Sequence, residues 1–225
     1  MRLAADTPFM TIAERVARMH EDAASQIPAE IFDVFRAEQA RMGADGVPQD
    51  AATVGDVVPD VELLDAHGRP ITLRAAQAGA DAVVVLYRGE WCPYCNLALR
   101  TYQEDLVPVL DDRGIGLIAI SPQKPDKSLS IQEKNDLSFV VLSDPGNQIA
   151  RALGVLTAHS EQVQDVQRAI GIDVAADNQD GTHTVPIPTV AVIDPEGTIR
   201  WIDIHPDYAT RTEVAEIIAG LDTLR

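Results

Sequence analysis

DAVVVLYRGEWCPYCNLAL, residues 81–99, contains both cysteines of the chain and joins two different patterns. Residues 81–87 form a continuous apolar run rich in valine, which is typical of a strand buried on both faces of a sheet. From Pro93 onward apolar residues recur at helical spacing, and proline is favoured at the first position of a helix. The stretch therefore predicts a buried strand that leads directly into a helix, with Cys92 at the helix cap and Cys95 in the first turn.

This placement suits the two cysteines to redox chemistry. Residues three apart on a helix are neighbours, so the two sulfurs can form a disulfide with modest strain. The partial positive charge and free N–H groups of a helix N-terminus stabilise a thiolate and lower the pKa of a cysteine there. Cys95 shares a helix face with Ala98, Leu99 and Tyr102. We therefore expect Cys95 to point inward and Cys92 to be the more exposed sulfur.

Three other interpretations of the cysteine pair remain open. A zinc site needs four ligands, yet the sequence has no second CxxC motif, and His159, His183 and His205 lack a paired ligand spacing. The cysteines could instead be buried structural residues, or belong to a redox-inactive interaction protein that keeps the fold. The intact CxxC at a strand-to-helix junction favours redox chemistry, so we expect no metal and no cofactor.

The rest of the chain supplies the architecture around this junction. From about residue 60 onward strand and helix patterns alternate, which indicates an α/β layered domain. Residues 155–186 form an insert that is partly helical and partly loop-like. Thr210, followed three residues later by Glu213, has the capping-box signature of a last helix.

The N-terminal part of the chain has a helical pattern of its own. One helix is predicted to begin at Thr7, Pro28 separates it from a second helix, and Gly43 is predicted to end the second. A linker rich in Gly, Pro and Asp follows. We divide the chain into a helical extension, residues 1–50, and an α/β domain, residues 51–225. The extension is expected either to pack on its own domain or to form a homodimer contact.

Composition excludes several classes of partner. The chain has 225 residues and a formal net charge of −17, and phosphate recognition needs clustered Lys and Arg. We therefore expect no nucleic acid and no anionic membrane as partners. No segment reaches the roughly eighteen uninterrupted apolar residues of a membrane span. The N-terminus has no apolar h-region of a secretory signal, so a cytoplasmic location is expected.

Two short motifs resemble the active site of thioredoxin-fold proteins. YRGEWCPYC, residues 87–95, resembles their redox-active segment, and IPT, residues 187–189, resembles the cis-proline segment of thioredoxin. The resemblance implies that Pro188 is cis and packs near Cys92. Position beside the cysteines, together with this resemblance, gives a set of candidate supporting residues, namely Arg88, Trp91, Pro93, Tyr94, Pro188 and Thr189, although Trp91 is equally expected as a packing residue.

Three longer segments resemble peroxiredoxins of the alkyl hydroperoxide reductase type. They are residues 54–73, beginning VGDVVPD, residues 119–155, beginning AISPQKP, and residues 192–211, VIDPEGTIRWIDIHPDYATR. The chain is most similar to the branch in which YRGxWCPYCN replaces the usual peroxidase motif. The resemblance implies a thioredoxin-like, peroxiredoxin-type three-layer α/β sandwich, to which the helical N-terminal extension is added.

The two resemblances imply different roles for the cysteines. In the peroxiredoxin pattern Cys95 matches the peroxidatic cysteine and Cys92 takes the place of a Thr three residues earlier. In the thioredoxin pattern Cys92 is the exposed nucleophile and Cys95 is the resolving thiol. The arginine that peroxiredoxins carry beside the thiolate, late in the chain, is matched here by Pro188. Arg88 or Arg100 would have to substitute for it, and a solvated surface position is expected for Arg100 more than for Arg88.

The function implied is that of an antioxidant thiol-dependent peroxidase. It would reduce hydroperoxides through a redox-active Cys92–Cys95 disulfide that a thioredoxin-type or glutathione-type donor regenerates. One alternative is a dithiol:disulfide oxidoreductase. Another is a non-enzymatic redox sensor whose oxidation alters a partner contact through residues 1–50.

Overall fold

The computed structural model describes residues 10–24 and 27–223. Within them the strands are β1 (Glu62–Asp65), β2 (Pro70–Thr72), β3 (Ala82–Leu86), β4 (Gly116–Ser121), β5 (Val140–Ser143), β6 (Leu156–Ala158), β7 (Thr184–Pro186), β8 (Thr189–Ile193) and β9 (Ile199–Ile204). The helices are α1 (Ile12–Ala24), α2 (Ala29–Asp45), α3 (Leu73–Gln77), α4 (Pro93–Thr101), α5 (Val107–Arg113), α6 (Pro125–Lys134), α7 (Gln148–Ala152), α8 (Glu161–Ala169), α9 (Val174–Asp177) and α10 (Val214–Asp222). No helix in this part of the chain is long and apolar enough to cross a bilayer.

Seven strands form one mixed sheet in the order β2-β1-β5-β4-β3-β8-β9. Strands β3, β4 and β5 run parallel, while β8 is antiparallel to β3. All five residues of β3 are buried, so the interpretation of the valine-rich run as a two-sided buried strand is confirmed. Strand β3 ends beside β8 and β4, and the chain that leaves it carries both cysteines.

Helices cover both faces of the sheet, which gives the expected three layers. Val83 and Val85 of β3 face the core beneath α1, α4 and α10. Ala82, Val84 and Leu86 face the opposite core beneath α3 and α7. This alternation follows from the two-residue period of a strand, and it explains why β3 can be apolar at every position.

The N-terminal helices pack on the rest of the chain. Helix α1 contacts α4, and α2 contacts α8 of the insert. The Glu213 carboxylate accepts hydrogen bonds from the backbone N–H groups of Ile12 and Ala13, both at 2.8 Å, and thereby caps α1 from the far end of the chain. Of the two roles considered for the extension, packing on its own domain is therefore present. A homodimer contact stays a prediction, as does the domain boundary near residue 50.

The end of the second N-terminal helix differs from the sequence prediction. Thr7 lies outside the described residues. The stop predicted at Gly43 is wrong, because α2 continues to Asp45. The N–H of Gly46 still bonds the Met42 carbonyl, and Gly46 takes the positive φ of 74° that ends the helix without a Cβ penalty.

Two features of the C-terminal two thirds also differ from expectation. The helix predicted from Pro93 onward is interrupted by a π-helical turn, Tyr102–Leu106, between α4 and α5. The capping box is formed by Glu213 and Glu216 rather than by Thr210 and Glu213. Thr210 does not cap the helix because α10 begins four residues later, at Val214, with Glu213 as its N-cap. The insert contains α8 as expected, and additionally an antiparallel pair of strands, β6 and β7.

Candidate active site

The strand-to-helix junction has the predicted local geometry. Cys92 is the N-cap of α4 and Pro93 is its first residue, so Cys95 lies in the first turn. The connection from β3 to α4 depends on Gly89, whose φ is 153°. A Cβ added at this residue would lie 2.5 Å from the indole nitrogen of Trp91. This junction fixes both sulfurs at the helix N-terminus.

Both thiols are free and buried. Cys92 and Cys95 are each only 1% exposed. The prediction that Cys92 is the more exposed sulfur is therefore wrong, whereas the inward direction of Cys95 is confirmed. Local helix geometry would leave the cap residue open, but Trp91, the N-terminal helices and the insert surround Cys92.

Arg211 is the side chain closest to the pair among the cations that the structure places here. Its Nη2 lies 3.2 Å from Cys95 Sγ and 3.9 Å from Cys92 Sγ, and the residue is buried. Its Nη1 donates to the carbonyls of Thr210, at 2.6 Å, and Tyr208, which hold the guanidinium in place. The expectation that Pro188 takes the place of the late arginine is thus wrong. The arginine is present, at the last residue of the VIDPEGTIRWIDIHPDYATR segment.

A second buried cation lies on the Cys92 side. Arg88 is 2% exposed, and its Nη1 is 3.9 Å from Cys92 Sγ. Its guanidinium lies 3.8 Å from the centre of the Tyr208 ring and 5.0 Å from that of Trp91, which are cation–π distances. Its Nη2 contacts Nε2 of His159, a residue of the insert. Arg88 therefore supports Cys92, as predicted for a residue flanking the pair.

His159 contacts Arg88 as a neutral base. Its Nδ1 is 3.0 Å from Oε1 of Gln167, an amide oxygen that only accepts, so we assign the ring proton to Nδ1. Nε2 is then free to accept from Arg88. Burial, together with the charge of Arg88, lowers the pKa of His159 to about 3. The histidine therefore adds no second charge, and the positive charge of Arg88 remains available to the site.

These contacts shift the pKa values of the two thiols in opposite directions. Burial alone would raise the pKa of Cys95, but a hydrogen bond from the Cys92 thiol and the charges of Arg211 and Arg88 hold it well below the usual range. For Cys92, burial raises the pKa, and the neighbouring Cys95 raises it further. These contacts therefore favour Cys95 as the thiolate of the pair and Cys92 as the thiol that donates to it.

Tyr94 connects the CxxC helix to the N-terminal extension. Gln39 of α2 donates to the Tyr94 hydroxyl at 2.9 Å, and His20 Nε2 of α1 lies 2.8 Å from the same oxygen. Burial lowers the pKa of His20, so the neutral ring can accept the Tyr94 proton. The residue between the two cysteines is thereby held by both helices of the extension.

The remaining predicted site residues differ in how close they lie to the two cysteines. Among the described residues there is no cis peptide bond, so the expectation of a cis-Pro188 is wrong. Pro188 joins two extended segments, β7 and β8, without a turn, and such backbone accommodates a trans bond. Pro188 and Thr189 line a small cavity with Cys95 rather than with Cys92. Arg100 is a surface residue that pairs with Glu104 at 2.9 Å.

His205 takes part in a polar cluster that sequence spacing did not reveal. Asp203, His205 and Glu216 bring three potential ligand atoms within 4.8 Å of one another. Asp203 and His205 already pair at 2.8 Å, and Thr210 and Thr212 complete their hydrogen bonds. These internal contacts account for the cluster, and the absence of a metal stays a prediction.

With the site described, comparison with known proteins assigns the family. Residues 54–202 match the AhpC/TSA family. The chain belongs to this family. It is a peroxiredoxin-like oxidoreductase, a thiol-dependent peroxidase, as the sequence motifs implied.

Individual relatives agree with the family assignment. The chain is 29% identical to a putative peroxiredoxin of Mycobacterium tuberculosis over 133 residues, which cover 59% of this chain and 83% of that protein. It is 30% identical to the peroxiredoxin Bcp of Escherichia coli (strain K12) over 101 residues, covering 45% of this chain and 64% of that protein.

Solved structures confirm the peroxiredoxin-type thioredoxin fold. The peroxidoxin BcpB of Mycobacterium tuberculosis superimposes with a TM-score of 0.57 at 20% identity, covering 76% of this chain and 97% of that one. A peroxiredoxin-like protein of Aquifex aeolicus gives a TM-score of 0.60 at 15% identity, covering 78% and 89%. The matched family segment begins after α1 and α2, so the contacts of Tyr94 come from outside it.

Sequence reasoning missed several residues of the site. Arg211 belongs to residues 192–211, which resemble peroxiredoxins, but nothing in its local sequence points to the cysteines. His159 has no paired ligand spacing, and Gln167 and Tyr208 carry no sequence signal of their own. Tertiary packing alone brings these side chains to Arg88 and the cysteine pair.

Proposed function

We propose that Cys95 is the peroxidatic nucleophile and Cys92 the resolving cysteine of this thiol peroxidase. The observation that carries the proposal is the 3.2 Å contact between Arg211 Nη2 and Cys95 Sγ inside a buried site. A buried guanidinium stabilises a thiolate, and the same donor can polarise the O–O bond of a bound peroxide. The corresponding contacts of Cys92 are longer, at 3.9 Å.

The chemistry proceeds in two balanced steps. The Cys95 thiolate attacks the terminal oxygen of ROOH, the O–O bond breaks, and Cys95 becomes a sulfenic acid while RO⁻ leaves. The Cys92 thiol provides the proton that converts RO⁻ to ROH. The Cys92 thiolate then attacks the Cys95 sulfur, forms the disulfide and releases hydroxide. The sulfur pair loses two electrons and the peroxide gains them.

The short spacing between Cys92 and Cys95 favours rapid formation of the disulfide. Because Cys92 is the N-cap and Cys95 lies in the first turn of the same helix, the disulfide can form with little unwinding of α4. A thiol donor then returns the pair to the dithiol, and the family resemblance implies one of the thioredoxin or glutathione type. Hydroperoxides and a thiol donor are the partners that we propose.

The burial of both sulfurs bears on the two alternative functions. A dithiol:disulfide oxidoreductase acting on proteins must expose its attacking sulfur, whereas Cys92 is 1% exposed here. A small peroxide needs far less room. For the non-enzymatic sensor, the contact of Tyr94 with His20 and Gln39 is the element that oxidation would have to disturb.

The proposal is tested by single-turnover oxidation of the reduced wild type, Cys92→Ser and Cys95→Ser. Each protein is mixed with one equivalent of hydrogen peroxide, and sulfenic acid is trapped with dimedone and located by mass spectrometry. We expect rapid trapping on Cys95 in Cys92→Ser and slow oxidation of Cys95→Ser. Faster trapping on Cys92 in Cys95→Ser would reverse the assignment. Rates no higher than that of a free thiol in both variants would refute peroxidase activity at this site.

A further inference from the structure

A partly open cavity of about 230 Å³ lies over Cys92, and we call it the chamber. Its walls come from α1, α2, the CxxC segment and the insert. They are mainly apolar and include Met19, Phe32, Phe35, Trp91, Ile172 and Tyr208. Cys95 does not line the chamber; it lines a separate cavity of about 10 Å³, the size of one water molecule, together with Arg211.

The chamber contains one buried positive charge. Arg88 lines it beside Cys92, and among the described residues no carboxylate forms a salt bridge with this guanidinium. Its close partners are the neutral His159 and the rings of Tyr208 and Trp91. An unneutralised cation in an apolar cavity favours an anionic nucleophile placed next to it.

We infer that the chamber admits the reductant, and that this reductant is a small thiol with an apolar body rather than the thioredoxin-type or glutathione-type donor that the resemblance implies. The inference rests on the proposed function, because it concerns the disulfide which that function produces. In the oxidised protein Cys92 is the sulfur that faces the chamber. A thiolate RS⁻, held beside Arg88, attacks Cys92 Sγ and forms RS–S–Cys92 while the Cys95 thiolate leaves.

The direction of attack agrees with the acidity of the two sulfurs. A thiol of low pKa is the better leaving group in disulfide exchange, and Arg211 stabilises Cys95 as the thiolate. A second RS⁻ then attacks the mixed disulfide, releases RSSR and returns Cys92, which takes up a proton. The two thiols lose two electrons and the protein disulfide gains them.

The size of the chamber and the burial of Cys92 determine the class of thiol. In another protein an apolar cavity of about 150 Å³ binds benzene, so about 230 Å³ accommodates a ring with a few further atoms. Cys92 itself is only 1% exposed, so a larger partner docked at the surface does not reach it. Tyr94 bonds His20 and Gln39, and Glu38 of α2 accepts from the Ser160 N–H of the insert at 2.9 Å, so the N-terminal helices are held to the CxxC helix and to the insert. A protein donor would have to displace these elements to reach Cys92.

The first test measures reduction separately from oxidation. Wild-type protein is oxidised with one equivalent of hydrogen peroxide, and disulfide formation is verified by mass spectrometry. Failure of this step would refute the proposed function and not the chamber. Benzyl mercaptan, 2-mercaptoethanol, glutathione and a thioredoxin are then compared in stopped-flow reduction at equal thiolate concentration. We expect benzyl mercaptan to be faster than the other three by about tenfold or more, with a mixed disulfide on Cys92.

Substitutions inside and outside the chamber test whether the rate of reduction depends on its volume. Ala23→Phe, or the milder Ala23→Leu, narrows the chamber from α1, and Ala37→Phe adds the same volume at an exposed site on α2. We expect the Ala23 variants to slow reduction by benzyl mercaptan about tenfold and to leave oxidation by hydrogen peroxide unchanged. Ala37→Phe should change neither rate. Circular dichroism verifies that each variant is folded.

Three outcomes would overturn the inference. The first is a thioredoxin that reduces the disulfide faster than benzyl mercaptan. The second is a rate of benzyl mercaptan within about twofold of that of 2-mercaptoethanol, or insensitive to both Ala23 variants. The third is oxidation by cumene hydroperoxide that exceeds oxidation by hydrogen peroxide and is slowed by Ala23→Phe, which would assign the chamber to the peroxide instead.

Discussion

Replacing Arg211 by Met should raise the pKa of Cys95 and slow its reaction with peroxide. The substitution keeps much of the side-chain volume and removes the donor that lies 3.2 Å from Cys95 Sγ. A hydrogen bond to a charged group contributes about 1.5–3 kcal/mol, and one pKa unit corresponds to about 1.4 kcal/mol. We therefore expect the pKa of Cys95 to rise by about one to two units, since the thiolate loses a partner and the thiol does not.

The peroxide reaction should be affected more strongly than ionisation alone. Loss of one donor that stabilises developing charge in a buried site lowers rates by about 10²–10³. Arg211→Lys should lie between the wild type and Arg211→Met, because a lysine keeps the charge but not the planar fork. Thiolate formation is followed by ultraviolet absorbance against pH, and the rate by stopped-flow fluorescence with hydrogen peroxide.

Arg100 provides the matched control. It lies on the same helix as Cys95, its side chain is 64% exposed, and it pairs only with Glu104 in the hydrogen bonds and ion pairs described. Arg100→Met should leave the pKa of Cys95 and the peroxide rate within about twofold of the wild type, as expected for a screened surface pair. An Arg211→Met protein that is folded and retains both the wild-type titration and the wild-type rate would refute the reasoning.

Two further predictions concern stability. His159 has a pKa of about 3 in the folded protein, below its ordinary value of 6.5. Between these two values the unfolded chain binds a proton that the native state does not bind. The free energy of unfolding therefore falls as the pH drops below 6.5. From about pH 7 to about pH 5 the wild type should lose about 2 kcal/mol more than His159→Gln in urea unfolding, and equal losses would contradict this. Glu213→Ala removes the cap of α1 and part of the α10 capping box, so it should cost about 1–3 kcal/mol. Glu216→Ala, which loses only its bond to the Glu213 N–H, should cost less, and the reverse order would show that the α1 cap is unimportant.

The parts of the site that could be predicted from sequence are those fixed by neighbouring residues. The apolar run of β3, the glycine at position 89 and Pro93 each act within a few residues of the cysteines. They therefore determine that Cys92 caps a helix and that Cys95 follows in its first turn. Hydrophobic alternation likewise determined the layered α/β class, because it depends on a local period.

The parts that could not be predicted depend on distant contacts. Arg211 lies 116 positions from Cys95, and no periodicity in its own segment indicates where its guanidinium points. The burial of Cys92 comes from helices outside the matched family segment together with the insert, so the local helix pattern alone pointed to an exposed sulfur. The cis-Pro188 was transferred from thioredoxin, but here the residue continues from one extended segment into another.

The distribution of charge connects the acidity of Cys95 with the selectivity of the chamber. The chain has a net charge of −17, yet Arg88 and Arg211 are buried beside the thiols without a carboxylate partner in the described salt bridges. Exposed acidic groups repel anions at long range, while a buried guanidinium acts over a few ångströms in a medium that screens it weakly. A neutral thiol can therefore approach and enter the chamber, where Arg88 favours the thiolate that forms when the proton passes to solvent. The carboxylates of glutathione are repelled by the acidic surface and would lose their hydration against the apolar walls of the chamber. The charge distribution that stabilises the Cys95 thiolate therefore disfavours glutathione as the donor.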